Sequence, residues 1–503
     1  MGIEKGEVKM GDGRKGFSVR RRDFIKATTF ASMAAALPVT SLAETSFEVG
    51  SKPSPEGRNR NLLFLSDTPE RYEKFMESMQ SIRQYDMHVS PMKVDFQKPQ
   101  DILKTIQTNN PDIIFMRLPG IGQSSRHIAE GIGTLDIPVI LLPANLDLIM
   151  LETDLAAAFR LKGTHALVAN SEERAIELIG ILAAPRVLEG KRALIFGKPF
   201  GSTSVPAPNL NEDYVYKHTG VRIEYRPIEE LKPLMERADA AAARKEMERW
   251  KKESTKIVEP SDEAILASSK LYVGLRSIVD QEGLSSVSID CLSYSFGRDT
   301  SIPTPCLAFT RLRDEGISAP CEADVCMMLS SMLLQEISRR PSYVCNVSSV
   351  NTQASTTVLR HCVAPIKLFG PDTAQLPYTL RDYHGMGRGV VAEMEFPVGL
   401  DITMGGFGKD LKNFVLWPGR IQPGVNDKAT PSFENAPAGM EKMRKFCANR
   451  AEVKIKDVNR FLQDIAGIHH IMVAGTHAKA IHDALLRMNV NIIAPPDLTV
   501  PEV

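Results

Sequence analysis

At 503 residues the chain is too long for one ordinary domain, and its 43% hydrophobic, 24% charged and 6% aromatic composition is that of a soluble globular protein. Basic and acidic residues balance at 61 each, but residues 1–43 carry eight of the basic and four of the acidic ones, leaving 53 basic and 57 acidic beyond. That mildly acidic body offers no electrostatic footprint for nucleic acid, so no nucleic-acid partner is expected.

The basic surplus lies in "RRRDFIKATTFASMAAALPVTSLAE", where Arg21-Arg22-Asp23-Phe24-Ile25-Lys26 resembles the bacterial twin-arginine export signal. The weakly apolar run that follows, Ala27 to Val39, is too short to span a bilayer stably, and Ser41-Leu42-Ala43 offers small residues for cleavage. Residues 1–43 therefore read as a removable signal peptide. The partner implied is the twin-arginine export machinery, and the implied location is the periplasm or the medium.

Residues 44–60 are polar and rich in Pro and Gly, a tether. "NLLFL" (61–65), "DIIFM" (112–116) and "PVILLP" (138–143) then read as buried parallel strands, with helical spacing in "ERYEKFMESMQSIRQY" and "PQDILKTIQTN" between them. This βα series predicts a doubly wound N-terminal α/β domain over 61–164. The pattern restarts at "RALIFGKPFGS" (192–202) and continues through "GVRIEYRP" and "SSVSIDCLSYSFG", predicting a second Rossmann-like α/β domain over 165–345. Its long segment "LMERADAAAARKEMERWKKES" (234–254) reads as a helix with a solvated charged face. From 346 to 503 the texture changes to strand-forming stretches broken by Gly and Pro, such as "LDITMGGF" and "NFVLWPG". A β-rich C-terminal domain is expected there.

Neither glycine-bearing turn is a nucleotide loop. "LPGIGQSSRHIAEGIG" lacks the third glycine of GxGxxG, and "FGKPFGSTS" has no GK[ST]. The seven cysteines, at 291, 306, 321, 326, 345, 362 and 447, form no CxxC pair and read as small buried hydrophobes.

The polar residues that carry chemistry are few. Glu322 follows Pro320 at the entrance of the apolar run "CEADVCMMLSSMLLQEI", which predicts a carboxylate in the first helical turn; Asp324 would point elsewhere on the same helix. His361 sits in "TTVLRHCVAP", where alternation puts it on the strand face of Leu359. His469 and His470 open "HHIMVAG", and as strand neighbours only one can readily serve a given site. Together with a polar group near 346 they make an oxygen and nitrogen donor set suited to Mn²⁺, Mg²⁺, Co²⁺ or Zn²⁺, without thiolates. His477 and His482, in the last helix, read as structural.

The chain resembles the L-fucose/L-arabinose isomerase superfamily, and especially its L-fucose isomerase-like branch. The resemblance rests on "TPCLAFTRLRDEGISAPCEADV", "RRPSYVCNVSSVNTQASTTVLRHCVAP" and "GIHHIMVAG", and is densest from 285 to 370. It implies two α/β domains followed by a β-rich one, a divalent metal (commonly Mn²⁺), a carbohydrate substrate and a homo-oligomer, trimer or hexamer. It also implies that Glu322 is a metal ligand and the catalytic carboxylate, that His361 is a ligand, and that His469 or His470 is the C-terminal ligand. Where relatives carry a second acid, this chain has Asn346 in "YVCNVSS", which can offer an oxygen to a metal but cannot act as a base near neutral pH. Three readings stay open on that account: an aldose–ketose isomerase-like enzyme working through an enediol, a non-catalytic carbohydrate-binding protein on the same scaffold, or a metal-dependent lyase, epimerase or oxidoreductase partner acting on a modified sugar. Arg360, His384, Arg388 and Arg450 are further candidates for contact with a sugar.

Overall fold

In a computed structural model of the chain, the described residues are 60–80, 87–119, 125–143, 145, 148–183, 187–199, 210–295, 301–423 and 447–501. The signal-like segment 1–43 and the tether up to residue 59 lie outside them. So do parts of both glycine-bearing turns.

The first sheet is parallel. It is built from β1 (Arg60–Ser66), β2 (Met87–Lys93), β3 (Ile113–Arg117), β4 (Val139–Leu142) and β5 (Ala166–Val168), in the order 2-1-3-4-5. Its strands are apolar on both faces because both faces are covered. Leu63, Leu65, Ile114, Met116 and Leu141 pack one way, while Leu62, Phe64, Ile113, Phe115 and Ile140 pack the other. The helix Glu172–Ala183 closes that second face through Ala175, Leu178 and Ile179. The sheet thus runs past residue 164, taking in β5 and this helix.

A second parallel sheet pairs β6 (Arg192–Phe196) with β7 (Arg222–Arg226) on one side and β9 (Ser286–Ile289) on the other. The charged stretch 234–254 is two helices, Leu231–Arg237 and Ala240–Glu253, broken where Asp239 caps the second by accepting from the amides of Ala241 and Ala242. Its charged surface is not wholly solvated. Glu246 is buried in an ion pair with Arg311 at 2.6 Å, and the Arg311 guanidinium lies over the Trp250 ring. The strand β8 (Lys256–Ile257) joins β12 (Tyr378–Asp382) and β13 (Val390–Met394) in a small mixed sheet.

The C-terminal part is a closed barrel. Antiparallel strands β10 (Tyr343–Asn351), β11 (Thr356–His361), β16 (Asn449–Ile455), β15 (Asn413–Ile421), β14 (Asp401–Phe407) and β17 (His469–Ala474) pair in that circular order. Closure leaves β18 (Asn491–Ile493), parallel to β15, as an added strand. Tyr343, Cys345, Leu359, Met404, Trp417, Val453 and Met472 fill one core with the barrel. The helix Val325–Ser338 packs elsewhere on the wall, where its Met and Leu side chains meet Val344, Phe407, Ile471 and Val473. Each fully buried Leu or Met there contributes about 1.5–3 kcal/mol.

Candidate metal centre

The chain reaches the site from the second sheet. Ser318 and Cys321 form parallel bridges with Ser286 and Ile289, so residues 318–321 run beside β9 toward the carboxyl end of that sheet. Such ends are where open parallel sheets bind ligands. The helical first turn expected at Glu322 is not formed. Glu322 and Ala323 both have positive φ, 64° and 53°, a left-handed pair that costs side-chain-bearing residues energy and persists only where the surroundings fix it. Buried Ser288 fixes it: its hydroxyl donates to the Pro320 carbonyl at 2.7 Å and accepts from the Ala323 amide at 3.1 Å. The helix then begins at Val325.

Asp324 is the N-cap, its Oδ1 accepting from the Met327 amide at 3.0 Å. Its other oxygen lies 3.0 Å from His469 Nδ1. One carboxylate thus starts the helix and orients a histidine. The His469 Nε2 is turned toward Glu322, 3.4 Å from Oε2, while Nε2 of His361 lies 3.5 Å from Oε1 of the same carboxylate. The two imidazoles stand 5.6 Å apart, centre to centre. One ligand atom from each of Glu322, His361 and His469 lies within 4.8 Å of the others, a group that could hold a metal ion. Both histidines are buried.

Strand alternation separates the adjacent histidines. His469 faces Glu322 and Asp324, while His470 is the cross-strand partner of Cys345, packs its ring 5.8 Å from Phe461, and leaves both ring nitrogens without a hydrogen bond. Asn346 is the cross-strand partner of both His469 and Arg360, and its Oδ1 is buried without a hydrogen bond. Arg360 is buried and pairs across β11 and β16 with exposed Arg450. Arg388 lies in the loop between β12 and β13, its carbonyl accepting from the Thr304 amide. His384, in the same loop, stands 3.2 Å from Cys362 Sγ.

Electrostatics follow the geometry. Burial opposes a charge on His469, but the Asp324 hydrogen bond and the Glu322 and Asp324 carboxylates outweigh it and hold the imidazole above its ordinary range. Burial likewise opposes a charge on His361, yet the Cys321 thiol and Glu322 raise it well above that range. His470 goes the other way, pushed down to about 4 by burial with the charge of His469 adding.

The donors fit a divalent cation. A carboxylate and two imidazoles converge, one imidazole is backed by a carboxylate as metal-bound histidines generally are, and the buried His469 Nε2 and Asn346 Oδ1 have no hydrogen bond.

Two acids were missed from the sequence. Asp324 was legible as an N-cap, since Asp directly precedes the apolar run. Asp290 follows β9, and its carboxyl is raised by burial with Glu322 adding to the rise; one of its oxygens is buried without a hydrogen bond. Nothing local in "SIDCL" marks it.

A scan against models of protein families and a search of curated proteins found no match for this chain.

Proposed function

We propose that the protein is a divalent-metal-dependent aldose–ketose isomerase-like enzyme acting outside the cytoplasm on a carbohydrate. The observation that carries this reading is the convergence of Glu322, His361 and His469, with His469 backed by Asp324. The cation would be held by those three residues, with the Asn346 amide oxygen as a fourth donor; Mn²⁺ is the one the family resemblance implies, and Mg²⁺, Co²⁺ and Zn²⁺ suit the same donors. When bound, it supplies polarisation of neighbouring carbonyl and hydroxyl oxygens of an open-chain sugar.

The chain's own residues do the rest. Glu322 takes the proton from the carbon beside the carbonyl, which gives an enediol, and returns it to the adjacent carbon; no atom is gained or lost. Asp324 keeps His469 in one tautomer and orientation. Asn346 orients a hydroxyl and cannot serve as a base. A proton also moves between the two oxygens, and Asp290, whose buried carboxyl interacts electrostatically with Glu322, is the group this reading assigns to that transfer. A trimer or hexamer exported by the twin-arginine route completes this reading.

Asn346 favours a second reading, a binding protein that holds a carbohydrate without converting it. Metal analysis of purified protein, followed by a sugar panel with and without chelator, separates the two. Chelator-sensitive interconversion supports the enzyme. Sugar-dependent thermal stabilisation without product, with turnover appearing only in Asn346→Asp, supports the binder. Absence of metal, of turnover and of sugar-dependent stabilisation, in wild type and variant alike, contradicts both.

A further inference from the structure

A second cluster stands beside the first. Cys362, the residue after His361, meets His384 and Cys447 so that one ligand atom from each lies within 4.8 Å of the others. Cys362 and His384 are buried and Cys447 is half-buried. All seven cysteines are free thiols.

Three separate segments deliver these groups, and each is pinned. His384 has a φ of 52°, a left-handed conformation unusual for a residue with a side chain. The loop holds it there: the Tyr383 amide donates to the Gly389 carbonyl at 3.0 Å, the Met386 amide to the Tyr383 carbonyl at 3.0 Å, and the Gly387 amide to Asp382 Oδ2 at 2.5 Å. The Tyr383 ring meets the imidazole edge-on at 4.2 Å. Fully buried Asn449 then ties the other two segments together. Its Nδ2 donates to the carbonyls of Cys362 at 2.9 Å and Ala392 at 3.0 Å, while its Oδ1 accepts from the Met394 amide. Cys447 lies two residues before Asn449, so that one amide fixes both thiol-bearing segments.

The spacing has room for an ion. Zn–S bonds of about 2.3 Å and a Zn–N bond of about 2.0–2.1 Å at tetrahedral angles put sulfur and nitrogen about 3.5 Å apart. Cys362 Sγ and His384 Nε2 stand 3.2 Å apart, so a few tenths of an ångström suffice. Two thiolates and an imidazole are a soft donor set, unlike the carboxylate and imidazoles next door, and favour Zn²⁺ over the harder Mg²⁺ and Mn²⁺.

We propose that Cys362, His384 and Cys447 form a second metal site, specific for Zn²⁺, distinct from the Glu322 centre and independent of the isomerase reading. On binding, both thiols lose their protons to solvent, and the neutral imidazole donates through Nε2. The +2 ion and two thiolates then leave the site neutral, which lowers the cost of burying it.

The test is cobalt substitution of the full-length protein, purified under reducing conditions. Expected is thiolate-to-cobalt charge-transfer absorption in the near ultraviolet, titrating to one equivalent per chain and displaced by Zn²⁺. Cys447→Ser, at the half-buried position, abolishes the band and one equivalent of bound metal, while Glu322→Gln leaves the band in place. Where Cys447→Ser folds poorly, the wild-type titration and zinc protection of Cys362 and Cys447 from alkylation decide alone. No cobalt–thiolate band in wild type, a band that survives Cys447→Ser, or a Cys362–Cys447 disulfide in the unreduced native protein overturns the proposal.

Discussion

Asp324 does two jobs with one carboxylate, and the two can be taken apart. Asn is as good an N-cap as Asp, so Asp324→Asn keeps the Met327 hydrogen bond but replaces the charged acceptor at His469 with a neutral amide. Its expected cost in stability is about 1–2 kcal/mol, because a buried charge-assisted hydrogen bond becomes a neutral one, whereas metal affinity falls by roughly 10–100-fold, the usual effect of losing such a backing group. Asp324→Ala loses both functions and costs about 1 kcal/mol more. Denaturant titration beside metal titration checks the pair, and equal affinity in wild type and Asp324→Asn would contradict the positioning role. At this scale the sequence was only partly legible. Glu322, His361 and the histidine pair stood out by type and frame, but the side chain that aims His469 looked like an ordinary acid. The pairing spans 145 residues, and no local pattern encodes it.

At the scale of elements, the Glu322–Ala323 turn decides whether the carboxylate reaches the barrel. The expectation of a helical first turn failed because proline followed by an acid fits that pattern equally well, and Ser288, on a distant strand, stabilises the left-handed alternative. Ala323 is fully buried at φ 53°, so a β-branched residue there is both strained and crowded. Ala323→Val is expected to cost about 2 kcal/mol or more and to weaken metal binding along with stability. Thermal melts with and without metal check this; unchanged stability would show the turn to be freer than its backbone angles imply. Strands and helices themselves were readable from period and composition, because continuous apolar runs mark strands covered on both faces. Barrel closure was not readable, since it depends on β14 pairing with β15 and β17 at once.

At the scale of the whole molecule, His165 gives the acid response away from both clusters. Burial holds its imidazole down to about 4 against an ordinary 6.5, with nearby Arg160 and His482 pushing the same way and Asn489 opposing. The folded state therefore favours neutral His165. Its contribution is fully present above about 6.5 and is lost as pH falls toward 4, at most about 3 kcal/mol in all. His165→Gln is expected to flatten the stability–pH curve in that window, measured by urea denaturation at stepped pH; an unchanged slope would remove His165 from the account. The pocket around it, about 440 Å³, lies between the first sheet and the added strand β18, with Asp136, Lys217, Asn491 and Ile492 on its walls. That joint was invisible in a chain read domain by domain. The mixed architecture of parallel sheets followed by a β-rich part was legible because each part keeps its own texture of runs and breaks.

The most direct test of the central claim is Mn²⁺ binding followed by electron paramagnetic resonance on the purified, full-length chain. One tightly bound Mn²⁺ per chain is expected in wild type, retained in His470→Gln and lost in His469→Gln and Glu322→Gln with the fold intact by circular dichroism. Equal binding by wild type and His469→Gln, or none by wild type, would contradict the assignment of Glu322, His361 and His469 as a metal centre.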